Sequence, residues 1–275
     1  MPAVSATSDG RFAPVTHYEN FPVASWLCPP KLRPPIAAIY WFARTADDIA
    51  DEGDAPATQR LADLQAYREA LSSSLAGEAP DSRWPEVFGP LGEAARAFHL
   101  PHAPLFDLLS AFEQDVAKTR DAAGYATRAE LLDYCRRSAD PVGRLLLHLY
   151  GVDDARSLQQ SDAICTALQL INFWQDLSVD VPRGRDYVPA EDRARHGMTP
   201  ALVRELTAWA RETMLAGAPL VHRVPGRAGW ELRLVVQGGL RILDKIAAQG
   251  FDSLTRRPSL RPWDGLVMLA RAVRM

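Results

Sequence analysis

The sequence predicts an all-α protein. Apolar residues recur at helical spacing through most of the chain, as Ile36, Ile39, Tyr40 and Ala43 do. Prolines stand where helices are expected to begin, and the alternating patterns typical of strands are nearly absent. With 275 residues, 47% of them hydrophobic, the chain can bury one sizeable core. We therefore expect about ten or eleven helices packed as one bundle.

Prolines and glycines divide the first half of the chain into helices. Pro34 and Pro35 suit the first turn of a helix, where a backbone N–H has no partner in any case. The cluster from Gly53 to Pro56 ends that helix, and leucines at helical spacing mark the helices after it. The predicted helices of this half are about 34–51, 57–76, 86–99 and 103–120.

The second half begins with a capping signal. Thr127 and Glu130 have the spacing of a capping box, which opens a helix running toward Tyr150. Pro141 lies inside that helix and is expected to kink it. The remaining predictions are helices at about 155–181, from Pro200 onward, at 229–249 and at 263–274. The last one is amphipathic, through Leu266, Leu269 and Val273, and is expected to use this face for core packing rather than for a membrane surface.

Composition excludes several classes of protein. The formal net charge is -3, so no basic field attracts nucleic acid. The three cysteines lack the spacing of a disulfide framework or a CxxC site. No apolar run is long enough to span a bilayer, and the N-terminus has no signal-peptide pattern, so we expect a cytoplasmic protein, free or peripheral to the inner face of the membrane. Residues 1–14 are expected to form a loose tail before a single domain at 15–275.

Two acidic helix faces indicate a magnesium site. Asp47 and Asp51 are four residues apart, which places both carboxylates on one face of a helix. Asn172, Asp176 and Asp180 repeat this spacing in a second helix. Like charges so placed are unfavourable unless a cation lies between them, and hard oxygen donors suit Mg²⁺ with a substrate phosphate.

These two stretches resemble the paired aspartate-rich motifs of squalene and phytoene synthases. The first motif is DDIAD at 47–51, and the second is QLINFWQDLSVD at 169–180. A basic loop, RGRDYVP at 183–189, follows the second motif as it does in that family. YCRRSADPVG at 134–143 is similar to the family's central tyrosine helix and its break. The resemblance runs from about residue 17 to 251 and implies an isoprenoid-synthase-type helical bundle with a central cavity.

Within the family, the sequence is most similar to bacterial hydroxysqualene synthases of hopanoid biosynthesis. The entry HYENFP at 17–22 is one sign of this. Gln175 stands where condensing members usually have an arginine, and Gly239 stands near the place of an aromatic residue. Such an enzyme ionises presqualene diphosphate and captures the cation with water. Condensation of two prenyl diphosphates, as in squalene or phytoene synthases, is the alternative, and a non-catalytic assembly factor of the same fold is a third.

The resemblance also assigns roles to individual residues. Mg²⁺ is expected between Asp47 and Asp51 on one side and Asn172, Asp176 and Asp180 on the other. The Tyr134 hydroxyl is a candidate to face the carbocation, although a packed core tyrosine is the rival interpretation. The expected substrate-binding residues are His17, Asn20, Tyr40, Arg44, Gln169, Gln175, Arg183 and Arg185. A separate presqualene diphosphate synthase is the implied partner that supplies the substrate.

Overall fold

The computed structural model describes residues 28–79 and 81–275, and within these ranges the chain is helical with no β-strand. The predicted tail at 1–14 and the expected site residues His17 and Asn20 lie outside the described residues. Twelve α-helices follow one another in the described part. They are α1 (Arg33–Asp51), α2 (Ala57–Leu75), α3 (Pro85–Phe98), α4 (Ala103–Arg120), α5 (Arg128–Ser138), α6 (Asp140–Leu149), α7 (Ala155–Gln175), α8 (Leu177–Asp180), α9 (Ala190–His196), α10 (Pro200–Gly217), α11 (Gly226–Ala248) and α12 (Pro262–Ala272).

The helix starts follow the predicted signals. Pro34, Pro85 and Pro200 all lie within the first two positions of their helices. The Thr127 hydroxyl accepts a hydrogen bond from the Glu130 N–H at 3.2 Å and caps α5. These local signals explain why most predicted boundaries agree with the structure to within a few residues.

Two predicted helices are broken. The chain leaves helical geometry at Ala139, so Pro141 lies in the first turn of α6 instead of kinking a continuous helix. The second acidic helix ends at Gln175, and Asp176 joins it to the short helix α8. The Ser178 N–H donates to the Ser253 carbonyl at 3.1 Å, a tertiary bond that takes the place of a helical one. The spacing of the motif survives because the Asp180 N–H donates to the Asp176 carbonyl at 2.8 Å.

Two groups of buried side chains form the core. One is built mainly from α1 to α4 around Phe42, Tyr67 and Phe88, and the other from α5, α7, α10 and α11 around Trp174. Helices α4 and α6 contribute to both groups, as Leu145 and Leu147 on α6 show. The two groups therefore adjoin along α4 and α6.

The C-terminal helix differs from expectation. Leu266 and Leu269 of α12, and Val273 directly after it, are exposed and do not pack in the core, because the buried side of this helix carries Asp264 instead. Within the described residues, no helix is both long enough and apolar enough to cross a membrane.

Candidate functional site

Helix α1 presents one face that changes from apolar to acidic. Ile36 lies near its start, Tyr40 follows one turn later, and Asp47 and Asp51 lie at its end. At 1.5 Å per residue, Asp47 is ~16 Å along the axis from Ile36. The first motif is therefore at the far end of the face whose beginning is apolar.

Arg44 lies among the carboxylates of its own helix. Its guanidinium is 3.2 Å from Asp47, 2.7 Å from Asp48 and 2.7 Å from Glu52. Partial burial and the neighbouring Asp48 raise the pKa of Asp47, whereas Arg44 and Arg185 lower it. Burial is the largest cause of the raised pKa, and the neighbouring carboxylates add to it.

Helix α7 repeats this arrangement. Ser161, Cys165 and Leu168 share a face with Asn172 and Asp176, at the spacing of successive turns. This face also passes from a less polar half to the oxygen donors of the second motif. Gln169 is partly buried on the same helix.

The end of the second motif holds a partly buried carboxyl group. Asp180 is partly buried on α8, and burial together with Asp176 raises its pKa to about 6. Arg183 and Arg257 oppose this shift. A carboxylate in such surroundings is stabilised by any additional cation.

The basic loop connects the two motifs. The Arg185 guanidinium contacts the Asp51 carboxylate, so the chain just after α8 reaches the end of α1. Asp47 also experiences the charge of Arg185. Arg183 is exposed in the single 3₁₀ turn that follows α8. The structure thus places Arg185, from the loop that follows the second motif, beside the first motif.

A buried tyrosine–carboxylate pair lies between the motifs. The Tyr134 hydroxyl donates to an Asp115 carboxylate oxygen at 2.5 Å, and Tyr187 donates to the same carboxyl group. Burial raises the pKa of Asp115 to about 7, and the charge of Asp47 raises it further against the hydrogen bonds of the two tyrosines. The Tyr187 ring stacks on Phe173 of α7 with ring centroids 3.9 Å apart. Tyr134 is therefore buried. Its hydroxyl donates to Asp115, whose pKa is raised by the charge of Asp47 in the first motif.

Sequence reasoning missed Asp115 and Arg257. Asp115 has no second carboxylate one turn away and belongs to no recognisable motif, so the residues around it do not mark it as part of a site. Arg257 contacts the Asp176 carboxylate through two of its guanidinium nitrogens, one of them at 3.2 Å. It lies 81 residues along the chain from its partner, and only the fold brings the two together.

Gln175 at the end of α7 is held by a hydrogen bond to a distant segment. It is buried, and its side-chain amide donates to the Pro258 carbonyl at 2.8 Å. The residue therefore ties the end of α7 to the segment that holds Arg257. Its contact with substrate stays a prediction.

An apolar cavity of about 150 Å³ lies where the two core groups meet. Both motif-bearing helices line it, α1 through Ile36 and α7 through Leu168, and α6 and α11 complete the wall. Other lining side chains include Val142, Leu146 and Leu232, with Glu231 as the single carboxylate. The cavity thus lies along the same helix faces as the acidic motifs, nearer the first turns of α1.

The donor types of the two motifs fit Mg²⁺, but the carboxylates are engaged elsewhere in this conformation. Among residues 28–79 and 81–275, no three acidic, histidine or cysteine side chains converge as a group that holds an ion. Asp47, Asp51 and Asp176 each contact an arginine instead. Carboxylate oxygens released from those arginines are the hard ligands that Mg²⁺ prefers. The metal-ligand assignments therefore stay predictions.

Comparison with known proteins identifies the family. The family model of squalene/phytoene synthases matches residues 15–264. The chain belongs to the squalene/phytoene synthase family. A hydroxysqualene synthase of Rhodopseudomonas palustris is 33% identical over 94% of this chain and 89% of its own length. A hydroxysqualene synthase of Zymomonas mobilis is 42% identical over 66% of this chain and 58% of its own length.

Solved structures agree with this family. The squalene synthase HpnC from Alicyclobacillus acidocaldarius is similar with a TM-score of 0.76 and 37% identity, covering 86% of this chain and 90% of its own. A dehydrosqualene synthase gives a TM-score of 0.77 at 22% identity, covering 90% of this chain and 88% of its own. The latter likeness shows the fold. The predicted isoprenoid-synthase-type helical bundle with a central cavity is therefore confirmed.

Proposed function

We propose that this squalene/phytoene synthase family member is a hydroxysqualene synthase, a lyase that acts on presqualene diphosphate. The observation that carries the proposal is the ranking of named relatives. Hydroxysqualene synthases are 33% to 42% identical, whereas a presqualene diphosphate synthase is 30% and phytoene synthases are 28% to 31% identical. The hydroxysqualene synthase that is 33% identical covers 94% of this chain and 89% of its own length.

Gln175 supports the proposal through its chemistry. Condensing enzymes must hold two diphosphates, and a neutral amide bonded to the Pro258 carbonyl adds no charge for the second one. Gly239 is consistent with this as well. A Cβ atom built there would lie 2.9 Å from the Met214 methyl and 3.0 Å from the Ile171 methyl, so this protein fills the space with aliphatic side chains.

The proposed reaction begins with loss of diphosphate. The carbon–oxygen bond of the cyclopropylcarbinyl group breaks, and its electron pair leaves with the diphosphate. The cyclopropane ring opens, a water oxygen adds to the allylic cation, and that water loses a proton to give hydroxysqualene. When bound by Asp47, Asp51, Asn172, Asp176 and Asp180, Mg²⁺ would neutralise charge on the leaving group.

The chain's own residues have distinct parts in this proposal. We expect Arg44, Arg183 and Arg185 to bind phosphate oxygens once the carboxylates turn to the metal. Contacts of Arg44 with Asp47 and of Arg185 with Asp51 support this for two of the three. The cavity side chains exclude water from the hydrocarbon part. The Tyr134 hydroxyl, held by Asp115, supplies a fixed dipole near the developing cation.

A condensing activity is the second candidate, and Arg257 favours it. The Arg257 guanidinium contacts Asp176 and so provides a positive charge beside the second motif, where Gln175 provides none. An arginine from a later segment can compensate for the one that Gln175 replaces.

Product analysis separates these candidates. The purified protein is incubated with Mg²⁺ and either presqualene diphosphate or farnesyl diphosphate. We expect an alcohol from presqualene diphosphate and little turnover of farnesyl diphosphate. Squalene, phytoene or presqualene diphosphate formed directly from the shorter substrate would establish the condensing candidate, and failure to convert either would favour the assembly factor.

Matched variants test the metal ligands in the same assay. Asp51→Asn and Asp176→Asn should each reduce turnover by at least about a hundredfold, because each removes a negative ligand without changing shape. Asp153→Asn is the control, since Asp153 is an exposed acidic residue in the turn between α6 and α7. Circular dichroism should be unchanged in all three. Wild-type turnover in the Asp51 or Asp176 variant would remove that residue from the proposed site.

A further inference from the structure

The outer face of α12 is apolar and exposed. We define this face by Trp263, Leu266, Leu269 and Val273, whose exposed fractions are 54%, 71%, 50% and 61%. On a helical wheel these four residues fall on one side, opposite to Asp264 and Ala272, which are both fully buried. Three of these large apolar side chains lie on one side of the eleven-residue helix, and Val273 directly after its end continues the same patch.

The helix is attached to the protein through polar contacts. Asp264 accepts hydrogen bonds at 2.7 Å from both Arg241 and Lys245 of α11. Arg271 of α12 forms a 2.6 Å ion pair with Asp244 of α11. A helix on the surface of a globular protein normally buries its apolar face and exposes its polar one. The reverse orientation of α12 indicates that its outer face has an external apolar partner.

The surroundings of the outer face are basic. Residues 256–275 contain five arginines and one acidic residue, Asp264, which is itself buried in ion pairs, while the whole chain has a net charge of -3. Arg257 and Arg271 form close ion pairs with carboxylates of other segments, so the positive charge at this face comes mainly from Arg256, Arg261 and Arg274. Two tryptophans, one at the start of the outer face and one beside its end, each lie beneath a guanidinium. Arg261 lies 5.2 Å from the Trp263 ring centre, and Arg233 lies 4.8 Å from that of Trp230, which is 44% exposed on α11. Arg233 also donates to the Ala272 carbonyl, which places Trp230 beside the end of α12.

We propose that the outer face of α12 binds the surface of a bilayer that contains anionic lipids. An apolar helix face with flanking tryptophans and arginines is suited to lie in the plane of the interface, with its apolar side chains among the acyl chains. Charge complementarity favours lipid over a second copy of the chain. A two-fold dimer through this face would oppose each arginine-rich border with its own copy, whereas anionic headgroups neutralise it.

The position of this face relates it to the cavity. Helix α11 contributes Leu232 and Val235 to the cavity wall and carries α12 on its surface. A bilayer held against α12 would therefore lie one helix away from the apolar cavity. This arrangement would shorten the path of any water-insoluble ligand between cavity and membrane, and the proposal does not depend on which ligand that is.

Vesicle flotation with the full chain tests the proposal. We expect binding to vesicles of phosphatidylcholine with about 30% phosphatidylglycerol, and weaker binding to phosphatidylcholine alone. The double variant L266Q/L269Q should lower the partition coefficient by about tenfold or more, because each substitution removes a side chain that the interface would bury. L132Q is the matched control, since Leu132 is 36% exposed on α5 and lies outside the outer face. Turnover should be equal in all these proteins.

The electrostatic contribution is tested separately. R256Q/R274Q removes two exposed arginines and should weaken binding to anionic vesicles by about fivefold for each. Raising the salt concentration should reproduce that loss in the unmodified chain. Equal flotation of the unmodified chain and L266Q/L269Q would overturn the proposal. A dimer that L266Q/L269Q dissociates, or absence of vesicle binding by the full chain, would also overturn it, because another partner would then cover the face.

Discussion

At the scale of single residues, the role proposed for the Tyr134 hydroxyl is the one that a single substitution tests most directly. Its hydrogen bond to Asp115 and the rings of Tyr187 and Phe173 fix it beside the first motif. Tyr134→Phe keeps the ring and removes the dipole. We expect kcat to fall about tenfold to a hundredfold while KM changes little, because the hydroxyl acts on the cation and not on the bound diphosphate.

Tyr67→Phe is the control for this prediction. The Tyr67 hydroxyl is also buried and donates to the Phe42 carbonyl at 3.1 Å, but it belongs to the core group of α1 to α4. Its loss should cost about 1 kcal/mol of unfolding free energy and leave kcat unchanged. Steady-state kinetics and urea unfolding of both variants measure the difference. Equal kcat values for Tyr134→Phe and the unmodified chain would make Tyr134 a packed core tyrosine.

At the scale of elements, the packing of α7 against α10 depends on a glycine. A Cβ atom on Gly217 would lie 2.5 Å from the Gln160 carbonyl oxygen and 2.9 Å from the Ile164 backbone nitrogen. Backbone atoms cannot move aside as a side chain can. Gly217→Ala should therefore destabilise the protein by about 2 kcal/mol or more, as overpacking does.

Gly265→Ala serves as the control, because it should raise the free energy of unfolding instead of lowering it. Gly265 lies within α12, and a Cβ atom there would meet no atom within 4 Å. The substitution should stabilise the protein by about 0.5–1 kcal/mol, because alanine loses less backbone freedom in a helix. Urea unfolding of the two variants checks both signs. A stable Gly217→Ala protein would mean that α7 and α10 can separate without cost.

The break between α5 and α6 leads to a pH-dependent prediction. Asp140 opens α6, is buried, and accepts a hydrogen bond from Thr166 at 2.9 Å. Burial and the nearby Asp162 raise its pKa to about 7. Since the folded state then binds the proton more tightly than the unfolded state, this group lowers stability as pH rises from about 4 to about 7, by up to about 1.4 kcal/mol per pH unit.

Asp140→Asn removes that titration and keeps the acceptor for Thr166. We expect the variant to be more stable than the unmodified chain at about pH 8, and to lose most of that advantage at about pH 5. Urea unfolding at the two pH values measures the difference in unfolding free energy between the variant and the unmodified chain. Asp153→Asn serves as an exposed control. An unfolding free-energy difference that is the same at both pH values would show that the Asp140 pKa is not raised by folding.

At the scale of the whole molecule, local signals predicted more than long-range contacts did. The helix starts at Pro34, Thr127 and Pro200 depend on neighbouring residues alone, so the sequence contains them. The break at Asp176 depends on Ser253, far along the chain, and no periodicity reveals such a bond. The outward face of α12 was misjudged for a related reason. Helical spacing shows that Leu266 and Leu269 share a face, but the ion pairs of Asp264 decide which way that face points.

The whole chain should also respond to ligands of the two acidic motifs. Asp47, Asp51 and Asp176 contact arginines that must exchange partners when metal and diphosphate bind, so binding replaces one set of ion pairs with a tighter one. Mg²⁺ with inorganic pyrophosphate at about 100 times Kd should then add about 2.7 kcal/mol to the stability of the folded state. For a chain of this size that raises Tm by roughly 5 °C.

Three comparisons make this shift specific to the motifs. Either Mg²⁺ or pyrophosphate alone should give a smaller shift, since each leaves the other's charge uncompensated. Asp51→Asn should lose most of the joint shift, and Asp153→Asn should keep it, because only Asp51 lies in contact with Arg185 at the junction of α1 and the basic loop. Differential scanning fluorimetry measures all of these. A joint shift that survives in Asp51→Asn would place the ligands elsewhere on the protein, and the proposed link between the two acidic helices would fail with it.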